Sequence, residues 1–392
     1  MIYSTTYNKE KNIYLEAMRV IAIFFVIFNH TGSNGYTLFS QEPIGSGKFW
    51  IYLFISVFCK FSVPLFFARS GALMLEKQYD HKKLFERIMR IFIVLFVFSF
   101  AYYIKRINTN GDPFSFEKFI TTFYSHGLWG HLWYLYLYIA YLMGLPFLQA
   151  LVKSLETKYY YYMIALALVF RGIIPTIENL FWNRSYTLIG EIKVSWLLSY
   201  IVLYPCIGYF LKNKFEITKN KLIFIWIINI LGILTSCYLT YCKGISEGIL
   251  QKTEESFHVR FVVLNCICIF ISTKYLFEHN VISDICKKIF LSVGSCTFGI
   301  YLVHMLIFSY TQNFLNELKE IGFYYMLAAL LQSLYVMLLS YFIVYIIKRI
   351  PKINGILTFV RKCVPNKINV HYCYVIFYRF LHLIVIYVSF LK

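Results

Sequence analysis

Two ionisable side chains, Arg19 and His30, stand eleven positions apart in the otherwise apolar run EAMRVIAIFFVIFNH. At about 100° per residue, that spacing makes three turns plus about 20°. A helix would therefore put both on one face, about 16 Å apart along its axis. The two groups suit different parts of one reaction. An imidazole, with an ordinary pKa near ~6.5, can take a proton from an attacking hydroxyl. A guanidinium grips phosphate oxygens bidentately. Taken alone, a snorkelling arginine and a satisfied histidine near a membrane surface explain the pair better.

Other residues shift that balance. His131 stands in GHLWYLYLYIAYL and His304 in GSCTFGIYLVH, so three histidines from distant segments fall at a similar, outer depth. Arg19, Arg69, Arg87 and Arg90 approach the opposite, inner side. Arg87 and Arg90 are three apart, hence neighbours on one helix face. An ordinary excess of cytoplasmic charge explains them nearly as well as phosphate binding does, but explains the deeper Arg19 and Arg69 less well. Lys60 falls near the middle of an apolar run and reads as a buried partner for a carboxylate. Glu16, one turn before Arg19, could orient that arginine. Ser70 and Gly71 could offer a hydroxyl or a close backbone approach, and helix packing accounts equally well for Gly71. A polyanion held at the inner face, with proton transfer further out, suits a coenzyme A thioester. Its phosphates would stay on the basic side while the thin pantetheine arm reaches inward. The transfer itself would need donors for a developing oxyanion.

The elements that position these groups follow from composition. Of 392 residues, 59% are hydrophobic, 20% aromatic and only 15% charged. Water-soluble proteins carry about a quarter charged residues, so a cytosolic enzyme, a disordered chain and a secreted disulfide scaffold are all excluded. The net charge of +19 is distributed between apolar segments, with no aromatic and basic groove for nucleic acid. Ten cysteines show no CxxC pair, and no metal site is expected. The pattern predicts an all-α, polytopic transmembrane helix bundle, because an internally bonded helix is what can cross hydrocarbon here. About ten spans are expected, near 14–31, 50–75, 89–106, 128–150, 159–177, 191–211, 221–241, 259–277, 288–310 and 323–348. The first reads as a retained helix, since a cleavage site is lacking. With the N-terminus and the main C-terminal tail cytoplasmic, inner segments carry roughly twice the Lys and Arg of the outer loops, in the expected sense. Residues 1–350 then form a membrane domain and 351–392 a basic tail. Within that tail, 371–391 would be an interfacial helix or an extra span.

Taken together, the phrases resemble the acyltransferase-3 family of integral membrane acyltransferases. Arg19 and His30 form its Arg-x10-His element. SVPLFFARSGALML at 62–75, FERIMRIF at 85–92, GHLWYLYLYIAYLMGLPFL at 130–148 and GSCTFGIYLVH at 294–304 follow in the family's order. The resemblance covers about residues 12–350. It implies a ten-helix domain that moves acyl groups, usually acetyl, from coenzyme A to hydroxyls of surface glycans or related envelope molecules. By that resemblance His30 is the catalytic base and Arg19 its partner along the donor channel. Arg87, Arg90, Arg69, Ser70 and Gly71 then line the donor path. His131, Trp133, His304, Tyr301, Glu16 and Lys60 support the acceptor or the base. The chain departs from the family at Arg69, where an apolar residue is usual. An extracytoplasmic esterase-like domain, present in some relatives, finds no room here, so the resemblance is to the stand-alone branch.

The expectation is therefore a membrane O-acyltransferase with acetyl-CoA as donor. Its partners would be the lipid bilayer and a polysaccharide or glycolipid acceptor, with no nucleic acid, and its location a bacterial plasma membrane. The rival is a transporter or flippase for a glycan or small solute. Such proteins often show inverted repeats and paired helix breaks, and neither is visible in this sequence.

Overall fold

The computed structural model describes residues 12–31, 38–40, 42–125, 130–182, 186–247, 259–311, 317–318 and 324–349. The expected helix at 371–391 lies outside them. All regular structure among the described residues is helical. The α-helices are α1 (Ile13–Asn29), α2 (Gly47–Phe58), α3 (Ser62–Met74), α4 (His81–Asn110), α5 (Phe116–Ser125), α6 (Trp133–Ser154) and α7 (Thr157–Ala167). They continue with α8 (Ile174–Trp182), α9 (Leu203–Asn213), α10 (Lys219–Glu247), α11 (Val262–Glu278), α12 (Asp284–Gly294), α13 (Thr297–Tyr310) and α14 (Tyr325–Lys348).

Local chemistry sets several of their ends. Ser46 accepts the Phe49 N–H at 3.1 Å and so caps α2. Ser283 does the same for α12 through the Cys286 N–H. Gly111, at φ 72°, takes the left-handed conformation that ends α4.

Among the described residues, five helical segments are long and apolar enough to cross a membrane: Gly47–Met74, Gly130–Ser154, Thr157–Phe181, Lys219–Ile245 and Tyr325–Lys348. A sixth arises if α12 and α13, bent by 68° to one another, count as one crossing. The expected spans are thus interrupted in ways that hydropathy does not register. The second breaks at a 3-10 turn, Cys59–Phe61, so Lys60 sits in that break and not within a continuous helix. Pro64 follows in the first turn of α3 and has no N–H to return to the Lys60 carbonyl. The fifth carries a π-helical turn, Leu168–Ile173. The expected span at 191–211 is not one continuous helix: a 3-10 turn at Gly190–Lys193 and further turns precede α9, which starts at Leu203 and has 11 residues. Pro205 again falls in the first helical turn, where its missing N–H costs least.

The chain divides into two compact units: Met1–Gln78 with Phe147–Phe342, and Tyr79–Pro146 with Ile343–Lys392. In the first unit, α3 packs most extensively on α9. Gly71 abuts the backbone of Pro205, and Gly208 abuts the backbone of Ala68. Without a side chain at either crossing, the two helices approach closely, which is how spans gain packing energy in lipid. Helix ends are tied by long polar side chains. Lys274 Nζ donates to the carbonyls of Leu211 (3.0 Å) and Lys212 (3.1 Å) at the end of α9. Gln149 donates to Met74 O at 2.9 Å and also to Lys77 O, closing the end of α3. An apolar core unites Phe28, Phe49, Leu53, Ile233 and Ala328, from α1, α2, α10 and α14. In the second unit, Phe119 of α5 is fully buried against Tyr103 and Ile107 of α4. Tyr103 Oη fixes the intervening loop by donating to Ser115 O at 2.9 Å.

Candidate functional site

The first unit assembles most of the expected residues along α1. In its first turn, Glu16 bridges two arginines. Arg19 Nη1 lies 3.1 Å from one carboxylate oxygen and Arg69 Nη2 lies 2.5 Å from the other. Arg69 Nε also donates to Leu15 O at 3.4 Å. The arginine at position 69 therefore ties α3 to α1. With two guanidiniums on one carboxylate, the cluster keeps a net positive charge. Gly294, at the bend between α12 and α13, lies directly on the Glu16 side chain: a Cβ there would stand 2.8 Å from Oε2. Glu16→Gln should leave two largely buried arginines without their counter-charge. We expect a loss of about 2 kcal/mol, below the full cost of breaking a buried pair because the groups retain some exposure. Thermal unfolding of the detergent-solubilised chain checks this, and an unchanged midpoint would count against the bridge.

At the far end of α1, His30 meets His304 of α13. Their ring centroids are 5.6 Å apart with planes inclined by 40°. His304 is fully buried, and its Nδ1 lies 2.7 Å from the Tyr301 carbonyl oxygen. A carbonyl can only accept, so the contact assigns the proton to Nδ1 and leaves Nε2 with the lone pair in the neutral ring. Tyr301 thus contributes through its backbone, while its ring packs 5.9 Å from His304. Next to His30, Asn29 Nδ2 donates to Cys59 O at 3.4 Å and to Ser62 Oγ at 3.5 Å. These contacts hold the 3-10 break of the second span against the end of α1. The Lys60 ammonium acts electrostatically on the His30 ring. Asn265 of α11 secures the same break by donating to Val57 O at 3.3 Å.

Ser70 is buried in α3, and Gly71 is pressed onto α9, as the packing alternative expected. Arg87, Arg90, His131 and Trp133 belong to the second unit. Arg87 Nη2 donates to Tyr138 Oη at 3.0 Å, and Arg90 is exposed. His131 is buried edge-on to Tyr102, at 4.9 Å between centroids. Trp133 is 43% exposed.

Sequence reasoning missed Asn29, Ser62 and Asn265. Asn29 and Asn265 carried a signal, since each is an amide in an apolar run. Among the described residues no group of three His, Cys, Asp or Glu side chains is placed to hold a metal ion. Two apolar recesses, of about 350 and 460 Å³, open beside α2 at Tyr52 and at Phe54. Neither is lined by His30 or Arg19.

A family profile described as an acyltransferase domain matches residues 12–349 of the chain. No curated protein and no solved structure gives a significant match.

Proposed function

The chain belongs to the acyltransferase-3 family, and from that premise we propose that it is a membrane O-acyltransferase carrying acetyl groups from acetyl-CoA to a hydroxyl of a surface polysaccharide or glycolipid. The observation that carries the reading is the pairing of His30 with a histidine whose tautomer is set by a backbone carbonyl. His30 takes the proton of the acceptor hydroxyl as its oxygen attacks the thioester carbon. The tetrahedral intermediate then expels the coenzyme A thiolate, which recovers that proton as the carbon–sulfur bond breaks. The products are the ester and free coenzyme A.

As guanidiniums, Arg87 and Arg90 are suited to phosphates of the donor, and the positively charged Glu16 cluster of the first unit suits an anionic donor on α1. Ten crossings, an inner N-terminus and a bacterial plasma membrane complete the proposal. Broken spans also occur in transporters. Family membership favours group transfer, and here the second break lies beside the base.

Membranes containing the chain should move label from [¹⁴C]acetyl-CoA into a purified surface-glycan fraction, with release of one free thiol per ester. Glycan masses identical with and without the protein would remove the proposal.

A further inference from the structure

A lysine at the centre of a membrane span costs about 2.5–3.5 kcal/mol. Lys60 stands in the 3-10 turn that interrupts the second span. Pro64 accounts for the interruption, and Asn29 and Asn265 take the Cys59 and Val57 carbonyls. Asn29, which holds this turn, is also the residue next to His30. The turn is therefore fastened to the end of α1 that carries the base, and the ammonium acts on that base.

Resting on the acyl-transfer reading, we propose that Lys60 stabilises the negative charge that develops on the thioester carbonyl oxygen during transfer. Attack by the acceptor oxygen forms the new carbon–oxygen bond and moves the carbonyl electron pair onto that oxygen. The Lys60 ammonium donates a hydrogen bond to it and keeps its own protons. Collapse returns the pair to the carbonyl and expels the thiolate. The same charge helps the second half of the step. When His30 holds the acceptor's proton it is a cation beside a cation, and passing the proton to the thiolate relieves the repulsion. In the low-dielectric span such a charge is worth far more than in water.

The test compares Lys60→Met and Lys60→Arg in the full-length protein, with [¹⁴C]acetyl-CoA and the glycan fraction. Lys60→Met should lower kcat by roughly 10²–10³-fold, the effect of losing an oxyanion donor, with KM for acetyl-CoA within about twofold. Its thermal midpoint in detergent should be unchanged or higher, because a partly buried charge within the span has been removed. Lys60→Arg should recover about tenfold of the lost kcat by restoring the charge at a different reach. Wild-type kcat in Lys60→Met would overturn the proposal, as would a loss confined to KM. A lowered midpoint shared by both variants would also overturn it, since that marks a structural lysine. A wild-type protein that labels nothing sinks the acyl-transfer reading itself, and with it the role given to Lys60.

Discussion

His30→Ala is expected to lower acetyl transfer by roughly 10²–10⁴-fold, the range for removing a general base, while leaving the protein folded. His30 stands at the C-terminal end of α1, where the helix is closed by backbone bonds to Ile27 and Phe28. Its side chain is not needed to finish the helix. The partner makes the prediction sharper. Because His304 Nδ1 is taken by the Tyr301 carbonyl, its Nε2 keeps the lone pair that can accept a hydrogen bond and so orient the His30 ring. His304→Phe keeps an aromatic ring in the fully buried site and removes that acceptor. It should cost less than His30→Ala, about 10–100-fold, in line with a group that orients the base and does not itself take the proton. The double variant should be little worse than His30→Ala alone, because residues that act as one unit are not additive. Initial rates of label incorporation for the three variants decide the matter. Independent, multiplying losses would show that the two histidines serve separate steps. Full activity in His30→Ala would remove the mechanism.

The parts of this arrangement that could be read in the sequence obey a helical period. Arg19 and His30 share a face because eleven residues nearly complete three turns, and the apolar runs are long enough to announce membrane helices. What could not be read is set by contacts across the chain. Glu16 is adjacent to Arg19 on α1, but its bond to Arg69 joins positions 53 apart, so Arg69 reads in the sequence as a donor-path residue and a departure from the family, with its tie to α1 hidden. Breaks were hidden for a related reason. Hydropathy at 50–75 is continuous through Cys59–Phe61, and the interruption follows from a missing proline N–H and from amides supplied by α1 and α11. The stretch 191–211 is apolar enough to suggest one continuous span, but its regular α-helix is short and begins at Leu203, with Pro205 in the first turn. Ser62 and Asn265 gained meaning when the carbonyls and side chains they face became known. His131 and His304 looked equivalent by depth. The structure gives His304 a direct partner in His30, and gives His131 a setting against Tyr102 within the second unit.

The largest effect on stability should come from glycines that do no chemistry. Gly71 stood in the sequence with two equal readings, a donor path and a packing contact. Its neighbour across the crossing is the backbone of Pro205, and Gly208 meets the backbone of Ala68 in return. A flexible side chain could move aside for a methyl group, but two helix backbones cannot without separating α3 from α9. Overpacking a core typically costs about 1–3 kcal/mol. Here separation would also loosen the support of Ser70 and Arg69, which precede Gly71 on the same helix. Gly71→Ala and Gly208→Ala are therefore each expected to cost about 3 kcal/mol or more. Gly144→Ala in α6, where an added Cβ meets nothing within 4 Å, is expected to be neutral or slightly stabilising, as alanine is the better helix former. Fluorescence-detected size exclusion and thermal midpoints of the three proteins measure this directly. If Gly71→Ala kept its midpoint while KM for acetyl-CoA rose, the glycine would belong to the donor path, and the close crossing of α3 and α9 would not be what holds the site in place.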